Sequence, residues 1–204
     1  MMKKGDVSAK EKLSIFKEKK HIYALGAIEN LKGEIQIFNN KPFLTQQKDS
    51  TIIFDRTLNK KATLLVWASV AKWKTIQIPN TITTYKELEV YIAKTAKENN
   101  IVIDKPFPFL LEGTPTSFDW HVINWKDGDT EHSHQKHINS GPHGTLTNRK
   151  SRFLGFYSDA HHAIFTHHTT NMHIHVLTDD KKIAGHVDGL ILGKNMTLQL
   201  PDLR

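Results

Sequence analysis

The stretch Asn171–Asp188, NMHIHVLTDDKKIAGHVD, holds three histidines at spacings that predict a β-hairpin carrying a metal site. Successive side chains on a strand point to opposite faces, so His173 and His175 share one face and their apolar neighbours take the other. A turn centred on the polar segment 178–182 places His175 opposite His186, where Cβ atoms lie about 4.5–5.5 Å apart. With His173 on the diagonal, three imidazoles can converge on one divalent ion and leave positions open for water or substrate.

The composition concentrates the candidate chemistry in the C-terminal half of the chain. Twelve of the 13 histidines lie between His121 and His186, and cysteine is absent. The lack of cysteine excludes disulfides, thiolate zinc sites and a cysteine nucleophile. A chain of 204 residues is long enough for a substantial core. We expect a charged arm over 1–20 and a single domain over 21–204, with the metal site within 150–190.

The positive charge of the chain has a local origin. The formal net charge is +7 and the isoelectric point is near 9.4, but the lysines cluster in MKKGDVSAKEKLSIFKEKK, residues 2–20. A solvated arm accounts for this cluster, and no recognition-helix or RNA-binding aromatic motif follows, so we expect no nucleic-acid partner. The longest apolar run, near 63–71, is too short to cross a bilayer. The N-terminus lacks the apolar segment of a signal peptide, which predicts a cytoplasmic protein unless a signal has been removed.

Short runs with a period of two dominate the rest of the chain and predict β-strands. One helical pattern interrupts them between 84 and 100, where Thr84 and Glu87 form a capping-box signature. Residues 126–150 lack apolar periodicity and predict a long surface loop. The fold class expected from this pattern is α+β and predominantly β. The predicted strands are IYALGAI (22–28), GEIQIFNN (33–40), TIIF (51–54), ATLLVWASVA (62–71), FPFLLEG (107–113), TSFDWHVINW (116–125), RFLGFYS (152–158), HAIFT (162–166), MHIHVLT (172–178) and IAGHVDGLIL (183–192).

Four motifs together give the chain a family resemblance. In this order and spacing, from about Tyr23 onward, the chain resembles the α-acetolactate decarboxylases. The last motif is the most specific, because it has the family's H-x-H pair, ten-residue gap and G-H layout. The motifs are LKGE (31–34), EGT (112–114), FLGFYSD (153–159) and HIHVLTDDKKIAGHVD (173–188).

The resemblance implies a fold, a reaction and a set of site residues. The implied fold has a larger mixed β-sheet with one packed helix and a smaller β-barrel-like portion that carries the metal. The implied reaction is the zinc-dependent conversion of 2-acetolactate to acetoin and carbon dioxide, by a homodimer. By matched position, His173, His175 and His186 are the zinc ligands and Glu34 is the catalytic carboxylate beside the metal. A Lewis acid there stabilises the enolate left by carbon dioxide, and a nearby acid protonates it.

Two departures from the family pattern predict a divergent relative. His121 occupies the position at which the decarboxylases carry a substrate-facing arginine, so we expect it to hold the substrate's carboxylate or to deliver a proton. It faces away from Trp120 and Val122 along its strand. The sequence LQLPDLR at the end of the chain contains no counterpart of the glutamate that the family contributes from its C-terminal tail. Asp188, on the same face as His186, either orients a ligand histidine or lies at a solvated strand end.

Two further functions compete with a decarboxylase. A cupin-like metal oxygenase also binds metal through an H-x-H pair and a distant histidine, although the intervening glutamate of that pattern is missing here. A non-catalytic metal-binding or metal-sensing protein is suggested by His132, His134 and His137 in EHSHQKHI and by the segment AHHAIFTHH, residues 160–168.

Overall fold

The protein consists of two antiparallel β-sheets packed face to face, with one long helix on the outer face of the larger sheet. The computed structural model describes residues 6–161, 164–166 and 169–203. The first sheet has the strand order β1-β7-β2-β3-β5-β6, with β4 beside β3, and the second has the order β11-β10-β14-β13-β12-β9-β15-β8. The strands are β1 Glu11–Lys12, β2 Ile22–Ile28, β3 Glu34–Phe38, β4 Lys41–Pro42, β5 Leu44–Lys48, β6 Thr51–Asp55, β7 Lys61–Ser69, β8 Trp73–Gln77, β9 Phe107–Gly113, β10 Ser117–His121, β11 His143–Thr147, β12 Ser151–Tyr157, β13 Met172–Thr178, β14 Ala184–Ile191 and β15 Thr197–Pro201.

The α+β, predominantly β class is confirmed, but two details of the expected sheets are wrong. Every strand pairing in the described residues is antiparallel, so the larger portion is not a mixed sheet. Some of these pairs are short hairpins, such as β2–β3, β5–β6 and β13–β14, whereas others, such as β2–β7 and β9–β15, join strands far apart in the sequence. Across the same residues, each sheet runs from one edge strand to another without closing. The three histidines predicted to bind metal therefore lie on an open eight-stranded sheet and not on a barrel.

Alternation along the strands places different side chains in the two interfaces of this layered structure. The inner face of the first sheet packs on Leu154, Phe156 and Leu177 of the second sheet. The opposite face of the second sheet packs on helix α1, Tyr85–Glu98, which buries Leu88 and Ile92 there. The polar site described below lies in the first interface, between the two sheets. No described helix is both long and apolar enough to cross a bilayer.

Helix α1 begins as the sequence predicts. The Thr84 side chain accepts a hydrogen bond from the backbone N–H of Glu87, and the Glu87 carboxylate accepts one from the backbone N–H of Thr84. This reciprocal capping box satisfies two N–H groups that the first helical turn leaves unpaired.

The N-terminal segment is not a solvated arm along its whole length. Strand β1 pairs with β7, and a 3₁₀ helix over Leu13–Phe16 follows it. Leu13 and Phe16 are buried with Ile35 and Ile37 on the outer face of the first sheet. The charged residues of the segment that the structure describes, between Asp6 and Lys20, are exposed. Their number explains why the composition alone suggested a solvated arm.

Two other local predictions are corrected. The predicted loop over 126–150 contains a short helix α2, His134–Asn139, and strand β11. Of the strand predicted over 162–166, residues 162–163 lie outside the described part, and Ile164 and Phe165 lie in a turn.

Candidate metal centre and cavity

The three histidines of the opening stretch converge as predicted. In the β13–β14 hairpin His175 is the direct partner of His186. One nitrogen from each of His173, His175 and His186 lies within 4.8 Å of the other two. Nε2 of His173 is 3.1 Å from Nε2 of His175. His173 and His175 are buried, and His186 is partly buried.

Burial keeps these imidazoles neutral. It lowers the pKa of His173 to about 4 and holds the pKa values of His175 and His186 well below their ordinary value, with further lowering from neighbouring histidines. The backbone carbonyl group of Phe165 opposes this lowering for His173, and that of Ile35 opposes it for His175. Neither contact has the geometry of a regular hydrogen bond. Neutral imidazoles are the form that binds a metal ion, so the cluster is ready for one at neutral pH.

Glu34 reaches the histidines from the facing sheet. Its Oε2 lies 3.6 Å from Nε2 of His175, and its Oε1 accepts a hydrogen bond of 3.1 Å from the backbone N–H of Ile123. Burial raises the pKa of Glu34 to about 7, although His121 and the Ile123 N–H partly oppose that shift. Gly33 forms the bend in the backbone just before Glu34. Its φ is +135°, and a Cβ at this position would lie only 2.1 Å from the carbonyl oxygen of Thr45, so no other residue fits without a shift of the backbone.

Asp188 and His121 form a hydrogen-bonded pair beside the cluster. Nδ1 of His121 lies 2.7 Å from Oδ2 of Asp188, and Nε2 of His121 lies 4.0 Å from Oε1 of Glu34. Burial on its own lowers the pKa of His121, but the bond to Asp188 and the charge of Glu34 more than offset this, so that pKa is raised. His121 is thus favoured as a cation between two carboxylates.

A break in strand register brings Asp188 to this position. Along β10 and β14, Asp119 pairs with Gly189 and Trp120 pairs with Val187, so Asp188 is the extra residue of a bulge. Bulges re-aim side chains and are common beside active sites. On the same strand Gly185 lets β14 approach β10, because a Cβ there would lie 2.4 Å from the carbonyl oxygen of His121.

A cavity of about 610 Å³ opens onto one side of the cluster. His173, His186 and Asp188 form the wall next to the histidine cluster. The rest is formed by residues of α1, the segment 169–172, His134 of α2, Tyr157, Phe165 and Val187. Glu89 of α1 ties that segment down by accepting hydrogen bonds from the Thr170 hydroxyl and the Asn171 N–H, both 2.9 Å long. Glu34, His121 and His175 are not among the lining residues. The cavity therefore reaches the cluster through His173 and His186 and does not contact Glu34 or His121.

The structure brings all five predicted site residues together and separates other candidates from them. Glu34, His121, His173, His175 and His186 form one connected group. Orientation of a metal ligand and a solvated strand end were both open for Asp188. Its side chain is only 10% exposed, its Oδ2 is bonded to His121, and its Oδ1 lies 3.8 Å from Nε2 of His186, one of the three clustered histidines.

The remaining polar candidates lie elsewhere. Glu112 forms an ion pair of 2.8 Å with Arg152, and Arg149 lies 3.5 Å from Asp180 in the hairpin turn. The segment AHHAIFTHH falls partly outside the described residues, since 162–163 and 167–168 are not described. Sequence reasoning missed the cavity-lining residues of α1, because only the tertiary docking of that helix brings them near the histidines.

The residues present fit a divalent transition metal. The cluster offers three nitrogen donors and one nearby carboxylate, the donor set that zinc and other first-row divalent ions accept. The chain contains no thiolate that could compete.

Comparisons with known proteins identify the family of the chain. The model of the α-acetolactate decarboxylase family matches residues 18–203. The fold is similar to that of α-acetolactate decarboxylase from Bacillus subtilis strain 168, with a TM-score of 0.73, 13% identity, and coverage of 97% of this chain and 80% of that one. The acetolactate decarboxylase of Bacillus subtilis subspecies spizizenii gives a TM-score of 0.72 at 14% identity, with the same coverage of 97% and 80%.

A third solved structure, a Staphylococcus aureus protein of unknown function similar to α-acetolactate decarboxylase, gives a TM-score of 0.69 at 12% identity and covers 95% of this chain and 78% of that one. No curated protein matches the chain. At these identities the structural likenesses show the fold, whereas the family model spans nearly the whole sequence. The chain therefore belongs to the α-acetolactate decarboxylase family of carboxy-lyases.

Proposed function

We propose that the protein is a zinc-dependent decarboxylase that converts 2-acetolactate, or a related 2-hydroxy-3-keto acid, to acetoin and carbon dioxide. The observation that carries this proposal is the convergence of three neutral imidazoles on one sheet with Glu34 on the facing sheet, beside a cavity. Family membership supports the reaction class. The homodimer and the cytoplasmic location stay predictions.

His173, His175 and His186 would hold the metal ion. When bound, that ion supplies a Lewis acid that stabilises negative charge on the substrate's oxygen atoms as carbon dioxide leaves. Glu34 stands next to the ligand nitrogens with a pKa of about 7, so near neutral pH it can both take up and give back a proton.

His121 acts between two carboxylates. Asp188 accepts a hydrogen bond from Nδ1 of His121, which directs Nε2 toward Glu34. Of the two roles expected for His121, this arrangement favours proton delivery through Glu34. Direct binding of the substrate's carboxylate has less support, because both ring nitrogens of His121 already face carboxylates. Asp188 is then the residue that positions His121.

The competing functions have less support. A cupin-like oxygenase is a barrel protein, whereas the sheets here are open over the described residues. A sensor built on His132, His134 and His137 would need these side chains to share a site. In the structure His132 stacks on Trp125, while His134 lines the cavity next to the other cluster.

Metal analysis followed by an acetoin assay tests the proposed function. We expect about one divalent ion per chain in the purified protein. Racemic 2-acetolactate should yield acetoin, and chelation should abolish the activity until zinc is restored. A fully zinc-loaded protein that releases no carbon dioxide from 2-acetolactate or its 2-alkyl homologues would overturn the proposal.

Substitution of Glu34 tests its catalytic role. Glu34→Gln should lower kcat by about a hundredfold, because an amide cannot exchange a proton but fits the same space. Metal content and thermal unfolding should stay close to those of the parent. Glu112→Gln is the matched control, since Glu112 is a partly exposed carboxylate paired with Arg152. Equal turnover by Glu34→Gln and the parent would show that Glu34 takes no part in the reaction.

A further inference from the structure

The substrate implied by the proposed function is an anion, and its carboxylate needs a partner in the cavity. His121 does not supply one, because its Nδ1 lies 2.7 Å from Asp188, its Nε2 faces Glu34 at 4.0 Å, and it does not line the cavity. Apart from the metal-site histidines, the described residues that line the cavity include two side chains able to carry positive charge, Lys86 and His134.

Of these two, His134 is the one close to the reacting centre. Nε2 of His134 lies 3.5 Å from Oδ1 of Asp188, and the same oxygen lies 3.8 Å from Nε2 of His186. Lys86, in the first turn of α1, is exposed as His134 is, but among the described contacts none joins its ammonium group to Asp188 or to the histidine cluster. A five-carbon acid that reaches the metal site has its carboxylate only a few bonds away, so His134 is placed to bind it.

Neighbouring residues hold His134 in this position. Helix α2 has only six residues, too few to be stable alone, and Ser133 caps it by accepting a hydrogen bond from the Lys136 N–H. On either side of His134, the rings of His132 and His137 pack on Trp125, the first stacked at 4.4 Å and the second edge-on at 4.9 Å. The other two histidines of EHSHQKHI thus anchor the helix that presents the third.

We propose that His134 is a substrate-binding residue that donates a hydrogen bond to the carboxylate of the 2-hydroxy acid at the mouth of the metal site. The inference rests on the proposed function for the identity of the substrate. The imidazole is 44% accessible and its contact with Asp188 is long, at 3.5 Å, so an incoming carboxylate can reach it from the cavity. A hydrogen bond to a charged group is among the stronger ones in proteins.

Kinetics of His134 variants test this role. In His134→Ala the KM for 2-acetolactate should rise about tenfold or more, with kcat changed much less, because the lost contact binds the carboxylate and does not move the reacting proton. His134→Gln keeps an N–H donor and should recover part of the affinity. His143→Ala, on the exposed strand β11, is the matched control and should behave like the parent.

Inhibition by the product separates carboxylate binding from a general disturbance of the site. Acetoin has no carboxylate, so its inhibition constant should be the same for His134→Ala and the parent. Equal weakening of acetoin and of 2-acetolactate would overturn the proposal and show that His134 only supports the cavity wall. A raised KM in Lys86→Ala, together with an unchanged KM in His134→Ala, would overturn it in favour of Lys86.

A binding measurement keeps the inference independent of turnover. Calorimetry with 2-hydroxyisobutyrate, which has the hydroxyl and the carboxylate but no ketone, should show binding to the zinc-loaded parent and weaker binding to His134→Ala. If the parent has no decarboxylase activity, this difference still supports the role of His134, and only the proposed reaction fails. Equal binding of 2-hydroxyisobutyrate by the two proteins would overturn the role of His134 whatever the activity.

Discussion

Two histidine clusters in this protein share a close nitrogen contact but differ in what surrounds it. Nε2 of His173 and Nε2 of His175 lie 3.1 Å apart on a strand, and Nδ1 of His132 and Nε2 of His137 lie 3.0 Å apart at helix α2. In the strand cluster, the third imidazole of His186 and the buried carboxylate of Glu34 lie beside this pair, between two β-sheets. In the helix cluster, both imidazoles pack on the indole ring of Trp125.

The difference shows that nitrogen spacing alone does not define a metal site. A ring stacked on an indole is already held by that contact, and it supplies packing energy to a short helix. Rings on neighbouring strands of a sheet are held by the backbone ladder, so their nitrogens can converge on one point. We therefore expect tight metal binding at the strand cluster and a structural role for the helix cluster.

The largest expected effect comes from removing one imidazole from each cluster in turn. His175→Ala should lower metal affinity by about a hundredfold or more and remove activity with it, since a buried ligand is lost. His132→Ala should keep about one ion per chain and most of the activity. Metal analysis of the two purified variants after dialysis measures the contrast. Full occupancy in His175→Ala would remove the strand cluster as the metal site.

A smaller effect is expected from Asp188→Asn, which alters the carboxylate bonded to His121 and keeps all three clustered imidazoles, one of which, His186, has its Nε2 3.8 Å from Oδ1 of Asp188. An amide cannot stabilise a cationic imidazole as a carboxylate does, so kcat should fall about 10–100-fold with metal content unchanged. Asp119→Asn is the control, because Asp119 is an exposed carboxylate of the neighbouring strand β10. A kcat equal to that of the parent would contradict a positioning role for Asp188.

Acid should destabilise the metal-free protein through the strand cluster. The three histidines have lowered pKa values in the folded state, so below about pH 6.5 the unfolded chain binds protons that the folded one rejects. Glu34 opposes this, because its raised pKa lets the folded state bind one proton more between about pH 4.5 and 7. The raised pKa of His121 also opposes it, mainly above about pH 6.5. Below that pH the three lowered imidazoles outweigh these two groups.

The free energy of unfolding of the metal-free protein should therefore fall by roughly 1–3 kcal/mol per unit as the pH drops from about 6 to 5. Urea midpoints over this range measure the slope, and the slope should be shallower in His175→Ala. A midpoint that rises on acidification would mean that Glu34 dominates, or that the histidines are more hydrated than the structure indicates.

The smallest effect is expected at the helix cluster. His137→Ala removes the edge-on contact with Trp125 and should cost about 1 kcal/mol, a fall of about 2–4 °C in Tm. Metal content should not change. Loss of the bound ion in this variant would contradict the separation of the two clusters.

The hairpin was predictable because two local rules determine it. Alternation places His173 and His175 on one face, and the polar turn places His175 opposite His186. The bulge at Asp188 was not predictable in the same way, because one extra residue in a strand leaves no mark on composition or periodicity. The link between Asp188 and His121 follows from that bulge.

The bounds of helix α1 were predictable from the sequence, but its contribution to the cavity wall was not. Its cap and apolar stripe are local signals, whereas its position along the cavity depends on packing against the second sheet. Helix α2 was missed because its residues have no apolar stripe, and its contact with Trp125 through His137 is a tertiary one. The contact between Glu34 and His175 joins residues far apart in sequence, and only the family resemblance pointed to it.

The packing of Leu13 and Phe16 on the first sheet has a practical consequence for shortened versions of the protein. A chain that begins at His21 would retain every residue of the site but would leave the outer sides of Ile35 and Ile37 without a cover. These two residues lie on β3, the strand that starts with Glu34. Trimming the charged leader would therefore favour self-association through an uncovered apolar sheet surface, and any loss of activity would reflect aggregation and not missing chemistry.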